Sequence, residues 1–223
     1  MELAPNLTSN DLLIISDDSG LNLRSEFITK CEDALMGSVG QIIFSFEEFK
    51  SGRGNAVRRA IAHAREKFPN LELIVECDAD GSHQVRDILA VKQSKILCDL
   101  LIGSRYLSNS EIIGWPTSRR IFSKLLNKIL PRLLNLSISD ITNGLRRYSI
   151  PAVDVILSND PQNSGFIYLS EQALLISKSG LSIAELNTVF VNRRLGHSTV
   201  TLKEIVASLI GAFTLIRNAK KIG

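Results

Sequence analysis

Cysteine is scarce in this chain and arranged for no common task. Cys31, Cys77 and Cys98 are odd in number, far apart and without Cys-x-x-Cys spacing. That pattern excludes a disulfide framework and fits reduced thiols in a cytosolic protein, two of them inside apolar strand-like runs. No apolar run approaches the ~18 residues that mark a membrane-crossing helix. Met1 to Asn10 holds no basic segment followed by an apolar one, so no secretory leader is expected. Histidines at metal-ligand spacing are also lacking, so His83 reads as a helix-start or supporting residue and not as a ligand. There is no internal repeat and no low-complexity linker, and a single domain over residues 1–223 is the economical reading.

What is present suits one α/β domain: 223 residues, 44% hydrophobic and 22% charged. The net charge of +3 is unevenly spread. Residues 1–100 hold 11 Lys/Arg against 16 Asp/Glu, a net of −5, and residues 101–223 hold 15 against 7, a net of +8. An acidic half able to hold a metal therefore precedes a basic half able to hold phosphates or an anionic membrane surface; scattered solvated charge is the plainer alternative.

Short apolar runs alternate with helix-period segments through the first half. Leu12–Ile15, Ile42–Phe44, Leu73–Val75 and Leu100–Ile102 read as buried strands, with helices near 22–36, 54–67 and 83–95. Ala56, Ala60 and Ala64 recur at four-residue spacing. This alternation predicts a doubly wound, mostly parallel sheet, in which ligands bind beyond the carboxyl ends of the strands. Asp17-Asp18 and Asp78-Ala79-Asp80 each follow a strand, on that rim. Further on, Ile121, Leu125, Ile129 and Leu133 mark a helix kinked or ended near Pro131. Residues 144–150 and 182–191 read as strands with a helix near 168–179 between them, and Leu202–Arg217 as a helix with one broad apolar face.

Each candidate site has two readings. Asp78 and Asp80 are either a solvated turn or, with Ser82, oxygen ligands of the kind that suit Mg²⁺ or Mn²⁺ on a diphosphate. Asp17 and Asp18 are a helix cap or a contact to a nucleotide. Gly52-Arg53-Gly54-Asn55, before a helix, is a loop and cap or an anion contact through Gly54. Arg119 and Ser123, four apart, share a helix side and with Arg105 could clamp a phosphate by bidentate hydrogen bonds; otherwise the arginines face water. Asp140 is a cap for the Thr142-Asn143-Gly144 turn or a carboxylate near a reacting centre.

In order, Gly103-Ser104-Arg105-Tyr106, Gly114-Trp115-Pro116-x-x-Arg119-Arg120-x-x-Ser123 and Asp140-x-Thr142-x-Gly144-x-Arg146-x-Tyr148 closely resemble the polyprenyl-phosphate sugar transferases, which include dolichol-phosphate mannose synthase. A second block runs from Gly165-Phe166 through Glu171 to Ala184-Glu185-Leu186, Phe190-Val191 and Arg193. The resemblance spans nearly the whole chain. It implies a GT-A fold and an inverting, metal-dependent transfer of a hexose, usually mannose from GDP-mannose, with UDP-glucose the other donor considered, to a polyprenyl or dolichyl phosphate. It places Asp78, Asp80 and Ser82 at the Mg²⁺ or Mn²⁺, Asp17, Asp18, Gly54 and Asp78 at the nucleotide sugar, and Arg105, Arg119, Ser123 and Arg193 at the lipid phosphate. Asp80 and Asp140 stand nearest the chemistry, Asp140 as base or positioning group. Residues 1–100 then form a nucleotide and metal half, 101–201 an acceptor half and 202–223 an amphipathic helix. The expected setting is the cytoplasm, peripheral to a membrane surface, with no nucleic-acid partner.

Two departures stand out. The family's opening strand, with its Pro-x-Tyr-Asn-Glu-like motif and following helix, has no counterpart in Met1–Asn10, so that unit is expected to be missing. The lysine of the family's Arg-x-x-Gly-x-Ser-Lys loop is Thr199, and the preceding aspartate is Asn192. These departures support a rival expectation, a non-catalytic homologue that binds lipid phosphate or a membrane partner. A nucleotidyltransferase is a further rival, opposed by Trp115-Pro116 and the Arg119–Ser123 spacing. The C-terminal helix, at roughly 24 Å against a ~30 Å hydrocarbon core, is expected to lie on the membrane or pack on the sheet.

Overall fold

The computed structural model describes residues 3–18, 24–35, 41–46, 50–160, 163, 165, 167–192 and 202–219. The chain divides into two compact units, Met1–Leu71 and Glu72–Gly223. The division precedes the change in charge at residue 100, so Asp78 and Asp80 share a unit with the arginines that follow.

In the first unit, β1 (Leu12–Asp17) and β2 (Gln41–Phe46) pair in parallel, from Leu12 opposite Gln41 to Asp17 opposite Phe46. Helix α1 (Arg24–Leu35) connects them and buries Cys31 against Leu13, Ile15, Ile42 and Phe44. Helix α2 (Arg53–Lys67) buries Gly54, Ala56, Ile61 and Ala64; of the alanine row read from the sequence, Ala56 and Ala64 are buried and Ala60 is only partly so. Ser16 Oγ donates to the Ala56 carbonyl at 2.9 Å, tying β1 to that face.

The second unit holds β3 (Leu73–Glu76), β4 (Leu100–Ser104), β6 (Arg146–Ser149) and β7 (Ile183–Asn187) in the spatial order β3-β6-β4-β7. β4 and β7 are parallel, while β6 runs antiparallel to both its neighbours. The mostly parallel sheet predicted from the sequence therefore has one reversed strand, because the residues of a short strand carry no signal of its direction. β6 is polar yet buried. Arg146 is fully buried and donates to the carbonyls of Asn143, Ile141 and Leu169 at 2.9, 2.8 and 2.7 Å. Tyr148 donates to Glu76 at 2.8 Å, and burial first, then the Glu76 charge, raises its phenol well above the usual range. These pins satisfy polar groups that would otherwise destabilise the centre of a sheet.

Residues 182–191 form two strands and not one. Thr188, buried, marks the break: its Oγ1 donates to Asp87 at 2.9 Å, and the Val189 N–H donates to the same oxygen at 2.7 Å. The chain thereby leaves the main sheet, and β8 (Val189–Val191) pairs in parallel with β5 (Glu111–Ile113). Around these strands lie α3 (Val85–Gln93), α4 (Thr117–Leu133), α5 (Ile150–Ser158), α6 (Tyr168–Lys178) and α7 (Leu202–Ala219). Pro131 sits inside α4, which continues to Leu133. Asn135 then adopts a left-handed φ of 58°. The apolar row that marks α4 is not a core face: Ile121, Leu125, Ile129 and Leu133 are 62%, 53%, 44% and 57% exposed, and Asn127, Leu130 and Pro131 face inward.

Candidate active site

Asp78, Ala79 and Asp80 lie just past the end of β3. Gly81 turns the chain with a φ of +76°, in the left-handed region that suits glycine. Asp80 accepts from the Ser82 N–H at 3.0 Å, which folds the turn back on itself. Both carboxylates are half-buried. Ser82 is fully buried, and its Oγ has no hydrogen-bond partner. Among the described residues no cluster of three His, Cys, Asp or Glu side chains could hold a metal ion. The available donor set is thus two carboxylates and an orphaned hydroxyl, oxygen donors that fit Mg²⁺ or Mn²⁺ completed by substrate oxygens. His83 stands behind this turn, its Nε2 3.3 Å from Asp78 Oδ2 and its ring edge-on to Phe190 at 5.3 Å.

Phe190 also packs edge-on against Trp115, 5.3 Å between centroids. The guanidinium of Arg105 lies 5.3 Å from the Trp115 ring, 5.4 Å from Phe190 and 5.7 Å from Tyr106. That of Arg119 lies 4.0 Å from the Trp115 ring. One indole therefore gathers two arginines from β4's end and α4's first turn by cation–π attraction. Ser123, one turn along α4, accepts from the Tyr106 hydroxyl at 2.6 Å, so its side chain belongs to the same cluster. Arg120 points elsewhere and donates to the Ile112 carbonyl at 2.7 Å.

Asp140 is wholly buried and bound bidentately by Arg105, Nε to Oδ2 at 2.7 Å and Nη2 to Oδ1 at 2.8 Å. It also accepts from the N–H groups of Arg105, Thr142 and Asn143 at 3.0, 3.2 and 3.1 Å. Burial alone would raise its pKa; the charge and hydrogen bonds of Arg105 outweigh it and hold the carboxyl below its usual range. For Arg105, burial would lower the pKa, but Asp140 keeps it raised and the guanidinium charged. Asp78 adds in the same direction, an electrostatic link between the acidic turn and the arginine cluster. Arg105 Nη2 also donates to Thr142 Oγ1 at 2.7 Å, and Nη1 takes part in none of these bonds. Asn127 locks the ensemble, its Nδ2 donating to the Ser123 carbonyl and Thr142 Oγ1, each at 2.9 Å, and its Oδ1 accepting from the Ile141 N–H.

The structure thus brings together Asp78, Ser82, Arg105, Arg119, Ser123 and Asp140, with Asp80 in the same turn. Arg193 lies outside the described residues, as does Thr199. In the first unit, Asp18 accepts from the Ser51 and Gly52 N–H groups at 2.7 and 2.8 Å, fixing the turn before α2, where Gly54 is buried. Asp17 ends β1. Trp115, Phe190, Asn127 and Thr142 received no site role from the sequence, although Trp115, Phe190 and Thr142 stand inside its motifs. Their contacts join positions far apart in the chain.

No protein-family model matches the chain. It is 31% identical over 153 residues to undecaprenyl-phosphate mannosyltransferase of Micrococcus luteus, covering 68% of this chain and 62% of that protein. It is 31% identical over 130 residues to polyprenol monophosphomannose synthase of Mycolicibacterium smegmatis, covering 58% of this chain and 49% of that one. The chain therefore spans about half to three-fifths of the length of these relatives. Glucosyl-3-phosphoglycerate synthase from Mycobacterium tuberculosis, solved with uridine diphosphate, superimposes with a TM-score of 0.55 at 15% identity, covering 95% of this chain and 79% of that one. The same enzyme with phosphoglyceric acid gives 0.54 over 93% and 78%. The fold is that of the GT-A glycosyltransferases, and the chain is homologous to the polyprenyl-phosphate mannosyltransferases.

Proposed function

We propose that this homologue of the polyprenyl-phosphate mannosyltransferases transfers mannose from GDP-mannose to a polyprenyl phosphate, with inversion at the sugar carbon. The observation that carries the reading is the pairing of Arg105 and Arg119 on one indole, with Ser123 alongside and the Asp78–Asp80 turn electrostatically linked to Arg105. A phosphate monoester is already anionic at neutral pH and needs orientation more than deprotonation. Guanidinium groups supply that orientation, with Arg105 Nη1 the terminal nitrogen left by its other bonds. Arg193 is assigned to the same phosphate by its sequence motif.

Asp78, Asp80 and Ser82 would hold Mg²⁺ or Mn²⁺, which when bound stabilises charge developing on a leaving diphosphate. Asp140 is committed by six hydrogen bonds and a depressed pKa, so its role is to orient Arg105 and not to take a proton. In the first unit, Asp18, which fixes the turn before α2, and Gly54 are assigned to the nucleotide, and Asp17 to its ribose or base. No helix of the described residues is long and apolar enough to cross a membrane. The protein works peripherally at the cytosolic face, with the exposed row of α4, beginning beside Arg119, toward the lipid.

The test is transfer itself. The protein is incubated with labelled GDP-mannose or UDP-glucose, polyprenyl phosphate in vesicles, and Mn²⁺ or chelator. A cation-dependent mannosyl lipid is expected. Lipid-phosphate binding without any product would instead mark a non-catalytic binder and overturn the proposal.

A further inference from the structure

We infer that Glu185, on β7, is a positioning residue for the acceptor-phosphate cluster, acting on Arg105 through Ser139 and Asp140. The inference rests on the reading of Arg105 as a phosphate ligand. Glu185 Oε2 accepts from the Ser139 N–H at 2.8 Å, and Oε1 accepts from the Ser139 hydroxyl and the Asp140 N–H, each at 2.8 Å. One side chain therefore fixes the two residues that aim the Asp140 carboxylate, which in turn fixes Arg105 at 2.7 and 2.8 Å.

A second arm follows from counting protons. Ser139 gives its single hydroxyl proton to Glu185, so in the 2.7 Å contact between Ser104 Oγ and Ser139 Oγ the donor is Ser104. Ser104 Oγ in turn accepts from the Tyr106 N–H at 3.3 Å. The carboxylate at 185, accepting through both oxygens, thus sets the direction of a chain, Tyr106 N–H to Ser104 to Ser139 to Glu185, that flanks Arg105 on both sides. Glutamine cannot reproduce it. Both carboxylate oxygens accept, and an amide nitrogen in either place would face an N–H or O–H donor, leaving at least one buried or half-buried donor without a partner.

The experiment follows the Arg105 Nε–H by ¹H–¹⁵N NMR, assigned by its disappearance in Arg105→Lys, beside binding of farnesyl phosphate and GDP-mannose. In Glu185→Gln the Nε–H is expected to exchange with water roughly tenfold faster and farnesyl phosphate to bind roughly tenfold more weakly, with GDP-mannose affinity little changed. Wild-type exchange in Glu185→Gln overturns the inference. Faster exchange in a protein whose wild type never binds farnesyl phosphate supports the positioning role and overturns the acceptor reading instead. If Glu185→Gln does not fold, Ser139→Ala removes the hydroxyl chain while keeping both backbone bonds to Glu185. A smaller increase in exchange is expected there, and wild-type values overturn the inference.

Discussion

Arg105 keeps a full charge in a nearly closed place, and the reason is local: a buried guanidinium is tolerable only when a carboxylate and aromatic faces replace water. Asp140 supplies the first, and Trp115, Phe190 and Tyr106 the second. Removing one partner of a buried pair costs about 3–5 kcal/mol, so Asp140→Asn is expected to lower stability by that order in urea unfolding at pH 7. The pH dependence has a definite sign. Asp140's folded pKa lies below its unfolded value, so its contribution is complete above about pH 4 and is lost as pH falls through the folded value. The gap between wild type and Asp140→Asn should therefore narrow only below about pH 4; a gap that narrows toward neutral pH would contradict the ion-pair account. Arg119 and Arg120 give a second test at this scale. Arg119 stacks on Trp115 while Arg120 is turned to the Ile112 carbonyl. Arg119→Ala is expected to weaken prenyl-phosphate binding at least roughly tenfold, as loss of a charge-assisted bond does, and Arg120→Ala far less. Equal losses measured by calorimetry would remove the case for a facing pair.

Among the elements, α4 has two unlike faces, one packed through Asn127, Leu130 and Pro131 and one exposing Ile121, Leu125, Ile129 and Leu133 among Lys124, Lys128 and Arg132. Apolar side chains interleaved with basic ones suit the interface of an anionic bilayer. Leu125 and Ile129 are about half exposed, so the double change to glutamate should leave the melting temperature nearly unchanged. It should also cut flotation with anionic vesicles at least roughly tenfold, since burying each side chain is worth up to about 1.5–3 kcal/mol. Unchanged flotation would dismiss α4 as the contact. α7 is the less suitable anchor, because Ala212 and Leu215 are already buried while Ile210 and Phe213 are exposed. The sequence showed these helices by their period, but period cannot tell an apolar face that meets the core from one that meets lipid. It also passed over α5, whose start is a cap, Ser149 Oγ accepting from the Ala152 N–H at 3.3 Å, inside the stretch that reads as a strand to residue 150. β5 is three residues long and exists through its pairing with β8, a partner far along the chain. Arg119 and Ser123 were legible because four residues make one helical turn, whereas the Arg105–Asp140 bond spans 35 residues and leaves no local trace.

At the scale of the whole molecule, the acidic first hundred residues and the basic remainder suggested a metal half followed by an acceptor half, but the compact units divide at Leu71 and Glu72. The Asp78–Asp80 turn thus belongs with the arginine cluster, joined to it through His83, Phe190 and Trp115. Donor binding should then depend on a cation held in the second unit. An oxygen-ligand cation held by two carboxylates needs the diphosphate to complete its shell. Binding of GDP-mannose, followed by calorimetry, is therefore expected to require Mn²⁺ or Mg²⁺ and to fall away with chelator. Asp80→Ala should lose at least roughly tenfold in that cation-dependent affinity, by removal of a charged ligand. Ser82→Ala should lose less, since a neutral hydroxyl donates weakly and its orphaned Oγ leaves no other partner stranded. If GDP-mannose binds equally well with chelator, or Asp80→Ala binds as wild type does, the turn is a solvated loop and the cation reading fails. If Ser82→Ala alone abolishes binding while Asp80→Ala does not, the hydroxyl contacts the sugar or phosphate directly, and the carboxylates serve only the fold, Asp78 beside His83 and Asp80 on the Ser82 N–H.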